Sequence, residues 1–154
     1  MSVTIRAAEV RDVPAMAAIR ARSWGSHEFW LDRIGGYLDG TYSPQQALAR
    51  RAAWVAVQGE AIAGFVAGHC TRRFNVDGEL EWLNVAEEYR GLGIADRLIE
   101  TMFAWFRKLQ ILQVCVNVDP ENLPARQLYA KHGAEPFHNC WMLWTLTRPG
   151  ESRA

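Results

Sequence analysis

The stretch Glu81-Trp82-Leu83-Asn84-Val85-Ala86-Glu87-Glu88-Tyr89-Arg90-Gly91-Leu92-Gly93-Ile94-Ala95 constrains the fold of this chain more than any other. From Glu79 to Val85 acidic and apolar residues alternate with the period of a strand, and the run then breaks into a turn holding Gly91 and Gly93. From Gly93 to Lys108 the period becomes helical, with Ile94, Leu98, Met102, Trp105 and Leu109 on one stripe that packs on a sheet. A strand that ends in two glycines and opens a helix is also an anion cradle. Gly91 and Gly93 let the backbone approach a ligand without side-chain obstruction, and the first amides of the helix are unpaired at the positive end of its dipole. A pyrophosphate fits there. Arg90 adds a donor suited to phosphate oxygens, and the small Ala95 leaves the first turn open.

Around this stretch the chain reads as alternating short elements. Val3 to Ala7 is a first strand, and Asp12 caps a helix that ends near Ser23. Trp24 to Thr41 has helical spacing broken at Gly35, Gly36 and Gly40, and Ser43, Pro44 and Gln46 form a helix start that runs to Arg51. Trp54 to Val57 and Ala61 to Cys70 read as a hairpin turning at Gln58, Gly59 and Glu60. After the long helix come a strand from Ile111 to Val118, a helix opened by Asn122 and Pro124 and stopped at Gly133, and a strand from Trp141 to Leu146. The short segment before Trp141, with Pro136, reads against a regular final hairpin and leaves the acceptor side open, trimmed, or completed by a second copy in a homodimer. Strand, long helix, strand, helix, strand implies an α/β (α+β) chain with a mixed sheet covered on both faces. One domain is expected over 1–148, with a flexible tail over 149–154.

Composition narrows the function. The 154 residues carry 17 basic and 17 acidic side chains, so there is no basic field to hold nucleic acid or an acidic membrane. Cys70, Cys115 and Cys140 are odd in number and set among apolar residues, which suits a reducing cytoplasm rather than a disulfide framework. No run approaches the roughly 18 apolar residues of a membrane span. His69-Cys70 and His138-x-Cys140 lack a tight four-ligand spacing, so no metal is expected.

Spacing separates the nucleotide-binding motifs. There is no Gly-x-x-x-x-Gly-Lys-Ser/Thr and no full Gly-x-Gly-x-x-Gly followed by an acid. Present instead is Arg-x-x-Gly-x-Ala, from Arg90 through Gly93 to Ala95, and later Asn122-Leu123-Pro124-Ala125-Arg126-Gln127-Leu128-Tyr129-Ala130-Lys131-His132-Gly133-Ala134. Together these resemble the two signature motifs of the GNAT superfamily of N-acetyltransferases, with Ala134 where Phe is usual. The resemblance covers nearly the whole chain. It implies a mostly antiparallel sheet of about six to seven strands, two of which splay apart to form a coenzyme A cleft, and acetyl-CoA as acyl donor. It further implies that the backbone of Leu83, Asn84 and Val85 pairs with the pantetheine arm. The amides of Arg90, Gly91, Leu92, Gly93, Ile94 and Ala95 would hold the pyrophosphate, Asn122 would bond the pantetheine, and Tyr129 would lie near the sulfur. Trp24, His27 and Trp30 fall where the family places its acceptor-binding helices.

An amine of pKa about 10.4 is mostly protonated at neutral pH, so some group must take a proton. Glu81, facing with Leu83 and Val85 by period two, is the candidate base, as a Glu at this place often is in the family, with Glu79 and His138 as rivals. Tyr129 can protonate the departing thiolate. The acidic patch Glu79, Glu81, Glu87 and Glu88 favours a cationic acceptor. A non-catalytic acyl-CoA sensor and a purely structural homodimer are the alternatives to a transferase. Only the first of them keeps the coenzyme.

Overall fold

A computed structural model describes residues 2–148 and 150, so the expected tail lies, Gly150 apart, outside the described residues. In chain order the elements are β1 (Thr4–Ala7), α1 (Val13–Ala21), α2 (His27–Asp39), β2 (Ala47–Gln58), β3 (Ala61–Thr71), β4 (Gly78–Val85), α3 (Ile94–Lys108), β5 (Gln113–Asn117), α4 (Leu123–Lys131), β6 (Glu135–His138) and β7 (Trp141–Thr145). The strands form one seven-stranded sheet in the order β1-β2-β3-β4-β5-β7-β6. Every pairing is antiparallel except β4 with β5, which the α3 crossover makes parallel. None of the described helices is long and apolar enough to cross a membrane.

Each face of the sheet has its own core. On one, Leu98, Ile99, Met102 and Phe106 of α3 and Tyr129 of α4 pack against Val66, Leu80, Val114, Val116 and Trp144. On the other, Met16 and Ala17 of α1 and Trp30, Ile34 and Tyr37 of α2 pack against Val55, Phe65, Ala67 and Trp82. The expected α3 stripe is therefore real: Ile94, Leu98 and Met102 are buried, and Trp105 and Leu109 pack at its margin.

Four local expectations are corrected. Asp12 stands at the N-cap of α1 as expected, but its side chain makes no cap bond; its carboxylate takes the Arg6 guanidinium at 2.7 and 2.9 Å and the Glu9 amide at 2.8 Å, closing the turn before the helix. α2 runs unbroken for 13 residues, capped by Ser26 and ended by Gly40 in the left-handed region. Its two inner glycines cost about 1 kcal/mol each, which burial of Trp30, Ile34 and Tyr37 outweighs at about 1.5–3 kcal/mol apiece. Gly36 is there for contact: a Cβ would meet the Tyr42 Cβ at 3.0 Å as the chain folds back.

The helix expected from Ser43 to Arg51 is instead a turn and the first part of β2. Tertiary pairing overrides the helix-favouring Ala-Leu-Ala-Arg-Arg. The Gln46 carbonyl accepts from the Arg72 amide at 3.1 Å and the Thr71 hydroxyl at 3.1 Å, and Arg51 donates to the carbonyls of Tyr37 and Tyr42 at 3.1 and 2.9 Å. A final hairpin does form, β6 pairing β7 from Glu135↔Leu143 to His138↔Trp141. Pro136 is tolerated because β6 is the edge strand, where a missing N–H breaks no ladder bond.

Close packing of β3 on β4 generates a stability prediction. A Cβ at Gly64 would come within 2.6 Å of the Asn84 carbonyl oxygen and 3.2 Å of the Val85 Cα, both backbone atoms that cannot step aside. Gly64→Ala should lower stability by about 1–3 kcal/mol, read as a lower urea midpoint with unchanged slope.

Candidate functional site

β4 and β5 share only three residue pairs, Gly78↔Val114, Glu79↔Cys115 and Leu80↔Val116. Beyond them β4 continues to Val85 bonded only to β3, while β5 continues to Asn117 bonded to β7. The wedge between them is a cleft of about 710 Å³. Glu81, Leu83 and Asn84 line it from β4, Val116 and Asn117 from β5, and Asn122, Ala125 and Tyr129 from the start and body of α4. The β5-facing edge of β4 past Leu80 thus carries backbone groups with no strand partner, a template for an extended ligand arm.

Glu81 sits at an irregularity in that edge. Ala67 opposes Trp82 and Gly68 opposes Leu80, so Glu81 is the extra residue of a β-bulge. The bulge shifts the parity of the strand: Leu80, Leu83 and Val85 pack on the α3 side, whereas Trp82 packs with α1 and α2. The expectation that Glu81 faces with Leu83 and Val85 is therefore corrected. It lies instead with Glu79 and His69, their ligating atoms all within 4.8 Å of one another.

The acidities of the two neighbouring carboxyls are shifted in opposite directions. Burial pushes Glu79 up, but His69 facing it and Arg73 at 3.0 Å outweigh that and hold it below the usual range, with Thr71 donating at 3.1 Å. Burial likewise pushes Glu81 up, and there the nearby His69, Arg73 and Arg20 do not reverse it. Glu79 is a fixed structural anion and Glu81 a proton-accepting candidate. The other rival, His138, stacks on Phe74 at 4.2 Å on the exposed edge strand and does not line the cleft. Where a metal would have sat among these acids, Arg73 already supplies the positive charge to Glu79.

Tyr129 is buried, with its ring 5.2 Å from Trp144 and its hydroxyl making no hydrogen bond among the described residues. Burial raises its ionisation to about 12. The Asn122 side chain accepts from the Ala125 amide at 3.2 Å and so caps α4 while lining the cleft. Trp24 and Trp30 both line it, Trp24 exposed and Trp30 buried, joined by a bond of 2.7 Å from the Trp30 indole to the Trp24 carbonyl. His27 is not among the lining residues; its Nε2 lies 2.9 Å from the Pro14 carbonyl. Cys70 and Cys140 join no ligand cluster, and burial raises the Cys115 thiol to about 12, which fits inert core.

β4 runs on through Ala86 to Leu92 into α3. Gly91 and Gly93 both have φ of 79°, and a Cβ at either would meet nothing within 4 Å, so glycine is required there by backbone conformation beneath open space. The first helical bond is Arg97 N–H to the Gly93 carbonyl at 3.2 Å, which leaves the amides of Ile94, Ala95 and Asp96 without helix acceptors. The Asp96 carboxylate would repel an anion there, but Lys131 pairs with it at 2.9 Å, and a His132 ring nitrogen lies 2.8 Å away. Arg90 and Leu92 are exposed, and the Arg90 Nε donates to the Val85 carbonyl at 3.3 Å.

The reading of the sequence missed Arg20, Arg33, Arg73, Asn117 and Trp141, all of which line the cleft. The acidic patch is corrected too. Glu79 is paired with Arg73, Glu88 with Arg22 at 2.8 Å, and Glu87 lies outside the lining.

No curated protein matches this chain in sequence. Solved structures do resemble it. Ard1 from Thermoplasma volcanium superimposes with a TM-score of 0.75 at 18% identity, over 96% of this chain and 100% of that one. The PaiA N-acetyltransferase of Thermoplasma acidophilum, solved with coenzyme A, gives 0.72 at 17% over 96% and 99%. Arabidopsis thaliana NAA60, solved with a bisubstrate analogue, gives 0.72 at 17% over 95% and 99%. At these identities the likeness is one of fold. The sequence profile of the acetyltransferase (GNAT) family matches residues 17–134, from α1 past both signature motifs, and this chain belongs to that family.

Proposed function

We propose that residues 1–148 act as one domain that transfers an acetyl group from acetyl-CoA to an amine, both held at once in the β4–β5 cleft. The observation that carries this is the parallel ladder ending after Leu80, which opens the sheet onto Glu81 on one wall and Tyr129 on the other. The residues suit the coenzyme: a partnerless edge along β4 for an amide-bearing arm, and free helix amides with open glycines for a pyrophosphate. Leu83, Asn84, Val85 and Asn122 would hold the arm. Arg90, Gly91, Leu92, Gly93, Ile94 and Ala95 would hold the phosphates. When bound, acetyl-CoA supplies a thioester carbonyl open to attack by an amine.

Glu81 takes the amine proton on its carboxylate, directly or through a water, and its burial moves its affinity for that proton toward the working pH. Tyr129 keeps its own proton at neutral pH because its ionisation lies near 12, so its hydroxyl donates to the leaving sulfur. Trp24 and Trp30 wall the acceptor side.

Calorimetry should detect acetyl-CoA binding to the wild type, weakened at least tenfold in Gly93→Trp and in the milder, exposed Arg90→Glu. Absence of wild-type binding would sink the coenzyme reading, while binding with no turnover of any amine would favour a sensor.

Glu81→Gln should lower kcat by about 10²- to 10⁴-fold. Because its carboxyl is raised and must be ionised to act, wild-type kcat/KM should fall as pH drops through a value above the ordinary Glu figure of about 4.3. A pH–rate profile checks this: in Glu81→Gln that acidic limb should be missing, and an unchanged limb would assign the base elsewhere.

A further inference from the structure

The cleft holds positive charge that the transfer step does not use. Arg20 at the end of α1 and Arg33 in α2 both line it. Each guanidinium is clamped against aromatic rings. That of Arg20 lies 4.4 Å from the Trp30 centroid, and that of Arg33 lies 4.1 Å from Tyr42 and 4.9 Å from Phe29. Their hydrogen bonds go to neutral groups, Arg20 to the Asn84 side-chain oxygen at 3.2 Å and Arg33 to the Tyr42 hydroxyl at 2.9 Å. Neither is in an ion pair among the described residues. The Nε of Arg20 is moreover a buried donor with no partner.

The contrast with nearby arginines is the point. Arg73 shares the cleft but is held by Glu79, and Arg22 is held by Glu88. A buried guanidinium donor without an acceptor is costly, and a fork pinned flat by rings is arranged for a planar two-oxygen partner. No acid of the cleft pairs with either guanidinium among the described residues: Glu79 is spent on Arg73, Glu81 reaches Arg20 only across space, and Asp119 is exposed and accepts from the Glu121 amide at 2.9 Å. A polyamine would bring a further cation against both arginines. The phosphates of the coenzyme have their own donors at the start of α3.

We propose that the acceptor is an amine that also bears a carboxylate, of free amino-acid size, its carboxylate received by Arg20 and Arg33 while its amino group faces Glu81. This rests on the transferase reading above.

The test uses the full chain with acetyl-CoA and a panel of free α- and β-amino acids, each beside its carboxamide and its decarboxylated amine. Turnover is followed as released thiol, and acceptor binding by calorimetry on the coenzyme A-loaded protein. At least one acid should exceed its carboxamide by tenfold or more in kcat/KM, and Arg33→Met should narrow that preference to within about threefold, with Arg33→Lys restoring part of it. Acetyl-CoA affinity of the folded variant should be unchanged. Carboxamides or decarboxylated amines used as well as the acids would overturn the proposal, as would failure of every acid to bind. So would a loss of coenzyme affinity in Arg33→Met equal to the loss of acceptor binding. Acid-selective binding with no turnover would instead overturn the transferase reading and leave carboxylate recognition standing.

Discussion

The site depends on how early the β4–β5 ladder stops. Parallel pairing is tight at the base, where Gly78 has no room for a Cβ: Phe106 would lie at 2.8 Å and Ile111 at 3.0 Å. Three pairs later the strands part, because β4 follows β3 and β5 follows β7. Packing fixes each strand, β4 through Trp82 on the α1–α2 face and Leu83 and Val85 on the α3 face, and β5 through Val114 and Val116 on the α3 face. Backbone groups left without a strand partner would be costly in a dry interior, but here they border an open cleft where water or an extended arm can satisfy them.

The bulge at Glu81 decides which side chains of β4 reach each face of the sheet. Without the extra residue, strict alternation from Glu79 would put Leu83 on the α1–α2 face and send Trp82 to the other. Glu79 and Glu81 lie together beside His69 and yet their acidities shift in opposite directions. The difference is contact. Glu79 has Arg73 at 3.0 Å and Thr71 at 3.1 Å, enough to outweigh burial, whereas Glu81 feels its cations only across space and burial wins. The anion at Glu79 also adds to the upward push on its neighbour.

Features set by backbone and period were legible in the sequence, and features set by side chains meeting across elements were not. Gly91, Gly93 and the α3 stripe announce themselves because only glycine accepts φ of 79° and only a helix repeats at that period. The Ser43–Pro44–Gln46 pattern is a genuine local helix signal, but it lost to bonds from Arg72 and Thr71 to the Gln46 carbonyl, residues that no local window contains. The bulge was hidden for a related reason: it is defined by the register against Ala67 and Gly68, a relation between two strands. His27 had the right neighbourhood and the wrong direction, since its ring lies against Pro14 on the preceding helix.

Recognition in the cleft divides along the same line. The proposed coenzyme half rests chiefly on backbone groups of one continuous segment, with Asn122 added from α4, so most of it reads as a motif. Other parts of the lining come from α1, α2, the turn after β3 and the first residue of β7, with Arg20, Arg33, Arg73 and Trp141 far apart in the chain. Equal numbers of basic and acidic residues hide this arrangement, because a net charge of zero says nothing of which charges are paired. Read along the chain, Glu79, Glu81, Glu87 and Glu88 make an acidic patch. In the fold two of them are spent on arginines and one lies outside the lining; Glu81 alone of the four lines the cleft without an ion pair, and Arg20 and Arg33 line it likewise unpaired among the described residues.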